Sequence, residues 1–181
     1  MRQYFIVITI TISGIFTIFN LAFSENKPLQ YGAFLVSHEL TLPGNPEQIY
    51  DAISGDISGW WDHSFSESPK KFYIEAKPGG GFWEIFDDQG NGVKHATVIF
   101  AARGKYLRFD GPLGLSGRAI QVVTTYTFKP VGSDSTRLEV SVHAAGEMEE
   151  GVAETVDRVW HHFMFERFKP YVENGMKMPE N

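Results

Sequence analysis

The chain has 181 residues, of which 43% are hydrophobic, 14% aromatic and 21% charged, so one domain with an ordinary buried core is expected. Lys and Arg number 16 against 22 Asp and Glu, a formal net charge of -6, which argues against nucleic acid as a partner. Because the chain contains no cysteine, disulfides, thiolate metal sites and thiol nucleophiles are excluded.

The first 24 residues have the pattern of a secretory signal peptide. Arg2 precedes an uncharged apolar run from Tyr4 to Phe23, and small residues suit cleavage before Glu25. The run is nearly long enough to span a bilayer, so an uncleaved membrane anchor is the alternative. We therefore expect an exported protein, either periplasmic or secreted.

The beginning of the mature chain predicts one strand followed by helix. Residues 34–42 alternate between apolar and polar side chains, which is typical of a strand with one buried face. Asn45 is a suitable N-cap for the segment that follows, and an amphipathic stripe continues from it. Gly55 and Gly59 interrupt this stripe and predict two short helices with a bend, ending near Trp61.

Short segments with strand patterns follow between residues 71 and 145, separated by turns rich in Gly, Asp and Asn. The GLSG sequence at residues 114–117 is interpreted as a flexible turn. A long amphipathic helix is predicted from about Glu149 to Phe168, and Pro170 should end or kink it. This order predicts an α+β domain, in which a curved antiparallel sheet of about six to seven strands wraps around the C-terminal helix.

Three segments carry a family resemblance: VSHELTLPGNPEQIYDAISGDISGWW, PGGGFWEIFDDQGNG and VDRVWHHFMFERFKPYVENG. They resemble the helix-grip (SRPBCC or START-like) superfamily, and within it homologues of the activator of the heat-shock-90 ATPase and polyketide cyclase-like proteins. The resemblance covers residues 34–174 and implies the helix-grip fold, with residues 25–33 as an N-terminal extension and residues 175–181 as a flexible tail. Activation of a cytosolic chaperone is not carried over to an exported chain.

The aromatic content of the predicted inner faces favours binding of a hydrophobic or aromatic small molecule or lipid between the sheet and the helix. In the stretch SGWWDHSFS, one indole is expected to pack in the core and the other to line or cover the pocket, with Asp62 and His63 exposed. Tyr126 and His38 are possible polar anchors. The candidate wall consists of Trp60, Trp61, Phe82, Phe109, Tyr126, Trp160, Phe163 and Met164.

Three polar residues on otherwise apolar strand faces are weaker candidates for acid–base catalysis. His38 shares a face with Val36 and Leu40, Glu84 alternates with phenylalanines, and His95 alternates with Val93 and Thr97. An enzyme of the cyclase or dehydratase kind is therefore the first alternative to binding. A module that holds a protein partner in the groove is the second.

No metal site and no cofactor is predicted. His161 and His162 are adjacent on the predicted helix and diverge by about 100°, so they are poorly placed to share one ion. Asp157 with His161, and His162 with Glu166, are interpreted as ion pairs along the helix. The expected partner is a hydrophobic small molecule or lipid, with membrane contact only through an uncleaved leader.

Overall fold

The computed structural model describes residues 27–177, and the predicted signal segment lies outside these described residues. Its central element is an antiparallel sheet of eight strands in the order β1-β8-β7-β6-β5-β4-β3-β2. The strands are β1 (Tyr31–Pro43), β2 (Gly55–Asp56), β3 (Lys71–Ile74), β4 (Gly81–Ile85), β5 (Gly92–Ala102), β6 (Tyr106–Asp110), β7 (Ile120–Val131) and β8 (Ser135–Glu147).

Helices lie before, within and after the run of strands. The C-terminal helix consists of three consecutive parts that cover residues 152–173, and its buried side chains pack on the sheet. The helical segments are α1 (Pro46–Ile53), a 3-10 turn (Leu113–Leu115), α2 (Val152–His161), a π-helical segment (His162–Phe168) and α3 (Lys169–Glu173). None of the helices between residues 27 and 177 has the length and apolar character that crossing a bilayer requires.

The α+β architecture predicted from the sequence is confirmed, with one strand more than the expected six to seven. The long strands β7 and β8 are paired along their whole length, and β1 pairs with the other side of β8. The apolar faces of these strands supply much of the core, because alternate side chains of a strand point to the same side. The additional strand is β2, two residues long, which pairs with β3 at the far edge of the sheet.

The second of the two predicted short helices does not form, so this prediction was wrong. Helix α1 begins as expected with a capping box between Asn45 and Gln48. Gly55 then adopts a φ of +69°, which ends the helix and directs the chain into β2, where pairing with β3 satisfies its backbone groups. Only one turn remains, in which the backbone N–H groups of Trp60 and Trp61 both donate to Ile57 O.

The C-terminal helix passes through Pro170 instead of ending before it. Pro170 lies in the first turn of α3, where the missing backbone N–H is tolerated. The preceding π-helical segment has wider turns, and at its end the Lys169 N–H donates to Met164 O, five residues earlier. The helix therefore reaches Glu173, five residues beyond the predicted end at Phe168.

Candidate functional site

A cavity of about 340 Å³ lies between the C-terminal helix and one end of the sheet. Its wall is mostly apolar and comes from five parts of the chain: β1, the loop between β2 and β3, β5, the β6–β7 connection with the start of β7, and the C-terminal helix. The lining residues are Phe34, Trp61, His63, Ser64, Phe65, His95, Pro112, Leu113, Gly114, Leu115, Val122, Thr155, Val156, Val159, Trp160 and Phe163.

A second depression, of about 400 Å³, lies between α1 and the strands β2, β3 and β5. It is much more open to solvent than the first cavity. The ion pair between Arg103 and Asp51, with Nη2 and Oδ2 2.5 Å apart, lies on its rim, and both side chains are more than half exposed. Because small-molecule sites are concave and mostly apolar, the enclosed cavity is the better candidate despite its smaller volume.

The adjacent tryptophans of SGWWDHSFS occupy different environments. Trp60 is fully buried in the core, where its Nε1 donates to Ala52 O at 3.3 Å and its ring packs on Phe168. Trp61 lies on the cavity wall, and its ring stacks on Phe163 with 3.8 Å between ring centroids. One indole thus supports the core while the other forms part of the cavity surface.

Three of the eight predicted wall residues line the cavity, namely Trp61, Trp160 and Phe163. The other five are buried in the core, because the helix packs directly on the central sheet and leaves space only towards the loops at one end. Burial raises the pKa of the Tyr126 phenol above its ordinary value, so this group stays neutral. The five core residues are Trp60, Phe82, Phe109, Tyr126 and Met164.

Sequence reasoning missed most of the aliphatic wall, including Val122 on β7 and Val156 and Val159 on α2. The β6–β7 connection, in which the sequence predicts a flexible turn at residues 114–117, also contributes Leu113 and Leu115 to the cavity. Two leucines in so short a connection were the available signal, because apolar residues in a loop usually cover something.

A buried carboxylate and imidazole stand at the cavity wall. Glu84 is fully buried, and its Oε2 lies 2.9 Å from Nε2 of His95. Its Oε1 accepts hydrogen bonds from the Ser64 hydroxyl at 2.5 Å and from the Phe65 backbone N–H at 3.0 Å. Glu84 therefore holds the loop between β2 and β3 against β5, and it fixes the orientation of a histidine that lines the cavity.

A β-bulge allows the adjacent residues His95 and Ala96 both to face the interior. Phe82 pairs with Ala96 and Trp83 pairs with Lys94, so His95 is an extra residue on β5 without an opposite partner. Bulges of this kind redirect a side chain and are common beside functional sites. In consequence the neighbouring residues His95 and Ala96 are both buried.

Because of the bulge, part of the predicted alternation along β5 was wrong. Val93 pairs with Glu84 and is in phase with His95, as the sequence pattern predicted. Thr97 is not in phase, because the bulge shifts the pattern by one residue and Ala96 takes the inner position.

The protonation of His95 is governed by opposing effects. Burial lowers the pKa of His95, while the Glu84 carboxylate and a backbone contact with Leu113 raise it, and burial dominates, so the pKa lies below its ordinary value. The imidazole is then neutral near pH 7, and its Nε2 lies within hydrogen-bond distance of Glu84 Oε2. A neutral, fixed imidazole can bind a polar group of a ligand or exchange a proton with it.

His38 shares the inner face of β1 with Val36 and Leu40, as predicted, but it does not line the cavity. Its ring lies edge-on to Phe165, and its Nε2 lies 3.2 Å from Asp157 Oδ1 without the alignment that a hydrogen bond requires. His38 therefore belongs to the contact between β1 and the C-terminal helix.

Asp62 and His63 are exposed at the surface, as expected, and they contact His162 of the C-terminal helix. Asp62 Oδ1 lies 3.0 Å from Nδ1 of His63, and its Oδ2 lies 2.9 Å from Nε2 of His162. Arg167 Nε lies 3.1 Å from the same Oδ2 and also donates to the backbone carbonyl of Trp60. This cluster joins the loop to the helix at the rim of the cavity.

Two of these groups have perturbed acidity. Partial burial raises the pKa of Asp62, but hydrogen bonds from His63 and His162 and the charge of Arg167 outweigh it, so the pKa lies below its ordinary value. Partial burial lowers the pKa of His162, but Glu166 and Asp62 outweigh it and the pKa is raised.

One of the two ion pairs predicted along the C-terminal helix forms. The pair between His162 and Glu166 forms, with Nδ1 and Oε2 2.9 Å apart. The predicted pair between Asp157 and His161 does not form, because Asp157 turns towards His38 and His161 towards Glu166.

With the sheet, the C-terminal helix and the cavity between them described, the class of protein can be stated: the chain has the helix-grip fold, as its resemblance implied. Protein MLL2253 from Mesorhizobium loti matches with 19% identity and a TM-score of 0.57, over 78% of this chain and 98% of that one. The Aha1 dimer from Colwellia psychrerythraea matches with 18% identity and a TM-score of 0.52, over 78% and 98%. DynU16, from the dynemicin biosynthetic locus, matches with 16% identity and a TM-score of 0.55, over 78% and 48%.

These likenesses establish the fold alone, because each identity is below one fifth. No protein-family model and no curated protein sequence matches the chain.

Proposed function

We propose that this protein binds a compact hydrophobic or aromatic molecule, or a lipid chain, in the cavity between the sheet and the C-terminal helix. The observation that carries the proposal is the cavity itself, whose largely apolar wall includes a few polar groups such as His63, Ser64 and His95. Small-molecule sites have this composition, and their volumes run from roughly 300 to 1,000 Å³. A volume of about 340 Å³ favours a ring compound or a short acyl chain over a whole phospholipid.

The conformation of Leu113 supports the same proposal. This residue lines the cavity with a φ of +51°, in the left-handed region that residues other than glycine rarely adopt. Such strained residues cluster at ligand sites, where the surrounding structure holds them in place. Small-molecule binding is also a property for which proteins of this fold are known.

Filling the cavity should abolish binding without unfolding the protein. Val159 lines the cavity from α2, and Val159→Phe would place a ring in the space that the ligand needs. We expect this variant to weaken binding at least about tenfold, since small steric changes in apolar pockets have effects of this size. Trp61 and Trp160 line the same space, so tryptophan fluorescence titrated with fatty acids and aromatic compounds measures the affinity.

The matched control is Val131→Phe, the same exchange at an exposed position on β7 that is away from the cavity. Its affinities should equal those of the unaltered protein. The proposal fails if no compound in a broad panel changes the fluorescence, or if both variants lose binding equally.

Acid–base catalysis on a bound molecule is a second candidate function, and the pair of Glu84 and His95 favours it. A carboxylate within hydrogen-bond distance of an imidazole fixes the orientation of the ring, as a general base requires. His95 lines the cavity and Glu84 lies behind it, so a carbonyl or hydroxyl group of a bound molecule could reach His95. Binding is the main proposal, because catalysis would also require a molecule bound against the same wall.

We further propose that the protein is exported and that its leader is cleaved before Glu25. The support is the charge and apolar pattern of residues 1–24. Mass spectrometry under denaturing conditions, on protein isolated from its own host, should give the mass of a chain that begins at Glu25. A mass that includes Met1 or Arg2 would instead support an uncleaved anchor.

A further inference from the structure

Three metal-binding side chains converge at the rim of the cavity. One donor atom each from Asp62, His63 and His162 lie within 4.8 Å of one another. Nδ1 of His63 lies 3.0 Å and Nε2 of His162 lies 3.1 Å from the same oxygen, Oδ1 of Asp62. Residues 62 and 162 are far apart in sequence, so this group exists only in the folded protein.

The spacing suits a small divalent ion. Zinc bonds to nitrogen and oxygen of about 2.0–2.1 Å in a tetrahedral arrangement place neighbouring donor atoms about 3.3 Å apart. The two separations from Asp62 Oδ1 are shorter by only a few tenths of an ångström, and the donor atoms of the two histidines lie within 4.8 Å of each other. The side chains of Asp62, His63 and His162 are all partly exposed and can adjust by that amount.

The groups behind these donors have the arrangement found around metal ligands. Metal-binding histidines usually donate their other ring N–H to a carboxylate, and binding carboxylates are themselves hydrogen-bonded. Glu166 Oε2 lies 2.9 Å from Nδ1 of His162, and Arg167 Nε lies 3.1 Å from Oδ2 of Asp62. When Nδ1 of neutral His162 donates to Glu166, its Nε2 lone pair faces the Asp62 carboxylate, and a cation between them would satisfy both acceptors.

We propose that Asp62, His63 and His162 bind one divalent first-row transition-metal ion, with Zn²⁺ the best match to two imidazoles and one carboxylate. Glu166 and Arg167 hold two of these ligands in place. Three protein ligands leave a further position for water or for an anionic oxygen. Because His63 also lines the cavity, that position is within reach of a carboxylate on a bound molecule; this last clause rests on the proposed function, whereas metal binding does not.

Titration of the tag-free mature protein with Co²⁺, followed by competition with Zn²⁺, tests the proposal. We expect intense visible absorption of four-coordinate cobalt that saturates at one ion per chain and disappears when zinc is added. His162→Gln and His63→Gln should each remove this signal. Glu166→Gln should keep the signal but weaken affinity about 10–100-fold, which is the usual effect of losing an outer carboxylate.

His143→Gln is the matched control, because His143 is exposed on β8 away from the cluster. It should bind cobalt like the unaltered protein. Binding that persists in both His162→Gln and His63→Gln, or weak six-coordinate absorption alone, would overturn the proposal.

X-ray absorption of the zinc-loaded protein keeps the proposal testable if a variant fails to fold. It should show two imidazoles in the first coordination shell, and a shell of oxygen alone would contradict it. No organic ligand is present in these measurements, so their failure would leave the proposed function of the cavity intact.

Discussion

Glu84→Ala is expected to lower the free energy of unfolding by about 2–5 kcal/mol, because each buried hydrogen-bond donor left without an acceptor costs about 1–3 kcal/mol. Glu84 is fully buried and accepts hydrogen bonds from Ser64, Phe65 and His95. Its removal leaves the Phe65 N–H and the His95 ring without this acceptor, and unsatisfied buried groups are costly. The Ser64 hydroxyl can still donate to Ser66 O, which lies 2.6 Å from its Oγ. Urea unfolding followed by tryptophan fluorescence measures the loss.

The conservative variant Glu84→Gln separates the effect of the carboxylate charge on stability from the effect of side-chain volume. It keeps the side-chain volume but replaces one acceptor oxygen with a donor, so a smaller loss of about 1–3 kcal/mol is expected. As a control, Glu139→Ala removes a carboxylate on β8 whose pair with Lys129 is partly exposed, and such pairs contribute about 0–1 kcal/mol. If Glu84→Ala costs no more than Glu139→Ala, then Glu84 does not anchor the loop.

The Glu84 variants also bear on catalysis. A role of His95 as a proton acceptor requires the carboxylate that orients its ring. A Glu84→Gln protein that folds and still binds the ligand, but no longer converts it, would favour acid–base chemistry over simple binding.

The two adjacent tryptophans should differ in how much they contribute to the free energy of unfolding. Trp60→Ala is expected to cost about 3–5 kcal/mol, because it removes a fully buried indole that packs on Phe168 and bonds to Ala52. Trp61→Ala should cost less, about 1–3 kcal/mol, because one side of this ring borders a cavity and fewer contacts are lost.

In ligand titrations, the substitution of Trp61 should have a larger effect than the substitution of Trp60. The fluorescence response to ligand should decrease strongly in Trp61→Ala, whose indole lines the cavity, while Trp60 has no surface there. A conservative Trp60→Phe variant that folds serves as the comparison and should keep the response. Equal losses of stability in both alanine variants would contradict the assignment of Trp60 to the core and Trp61 to the wall.

The fold was predictable because its signals are local. Alternation along β1, β7 and β8 and the helical periodicity before Pro170 each specify which side chains are buried, whatever lies elsewhere in the chain. The second short helix failed because Gly55 ends one helix, and its tertiary pairing with β3 was then preferred to starting another.

The site was less predictable because it depends on contacts between distant residues. The bulge that turns Ala96 inward beside His95 is set by pairing with β4, which no pattern within β5 reveals. The meeting of Asp62 with His162 depends on how the helix crosses the loop. Sequence reasoning compared His162 only with its neighbours on the helix, and therefore could not identify the cluster.

The π-helical segment separates the C-terminal helix into two halves with different tasks. Its hydrogen bonds join residues five apart instead of four, so the residues after it are rotated relative to those before it. The first half, α2, faces the cavity, whereas the last residue of the segment, Phe168, packs on Trp60. Mutations in α2 can therefore change the ligand specificity of the cavity during evolution, while the part of the helix that packs on Trp60 keeps its orientation.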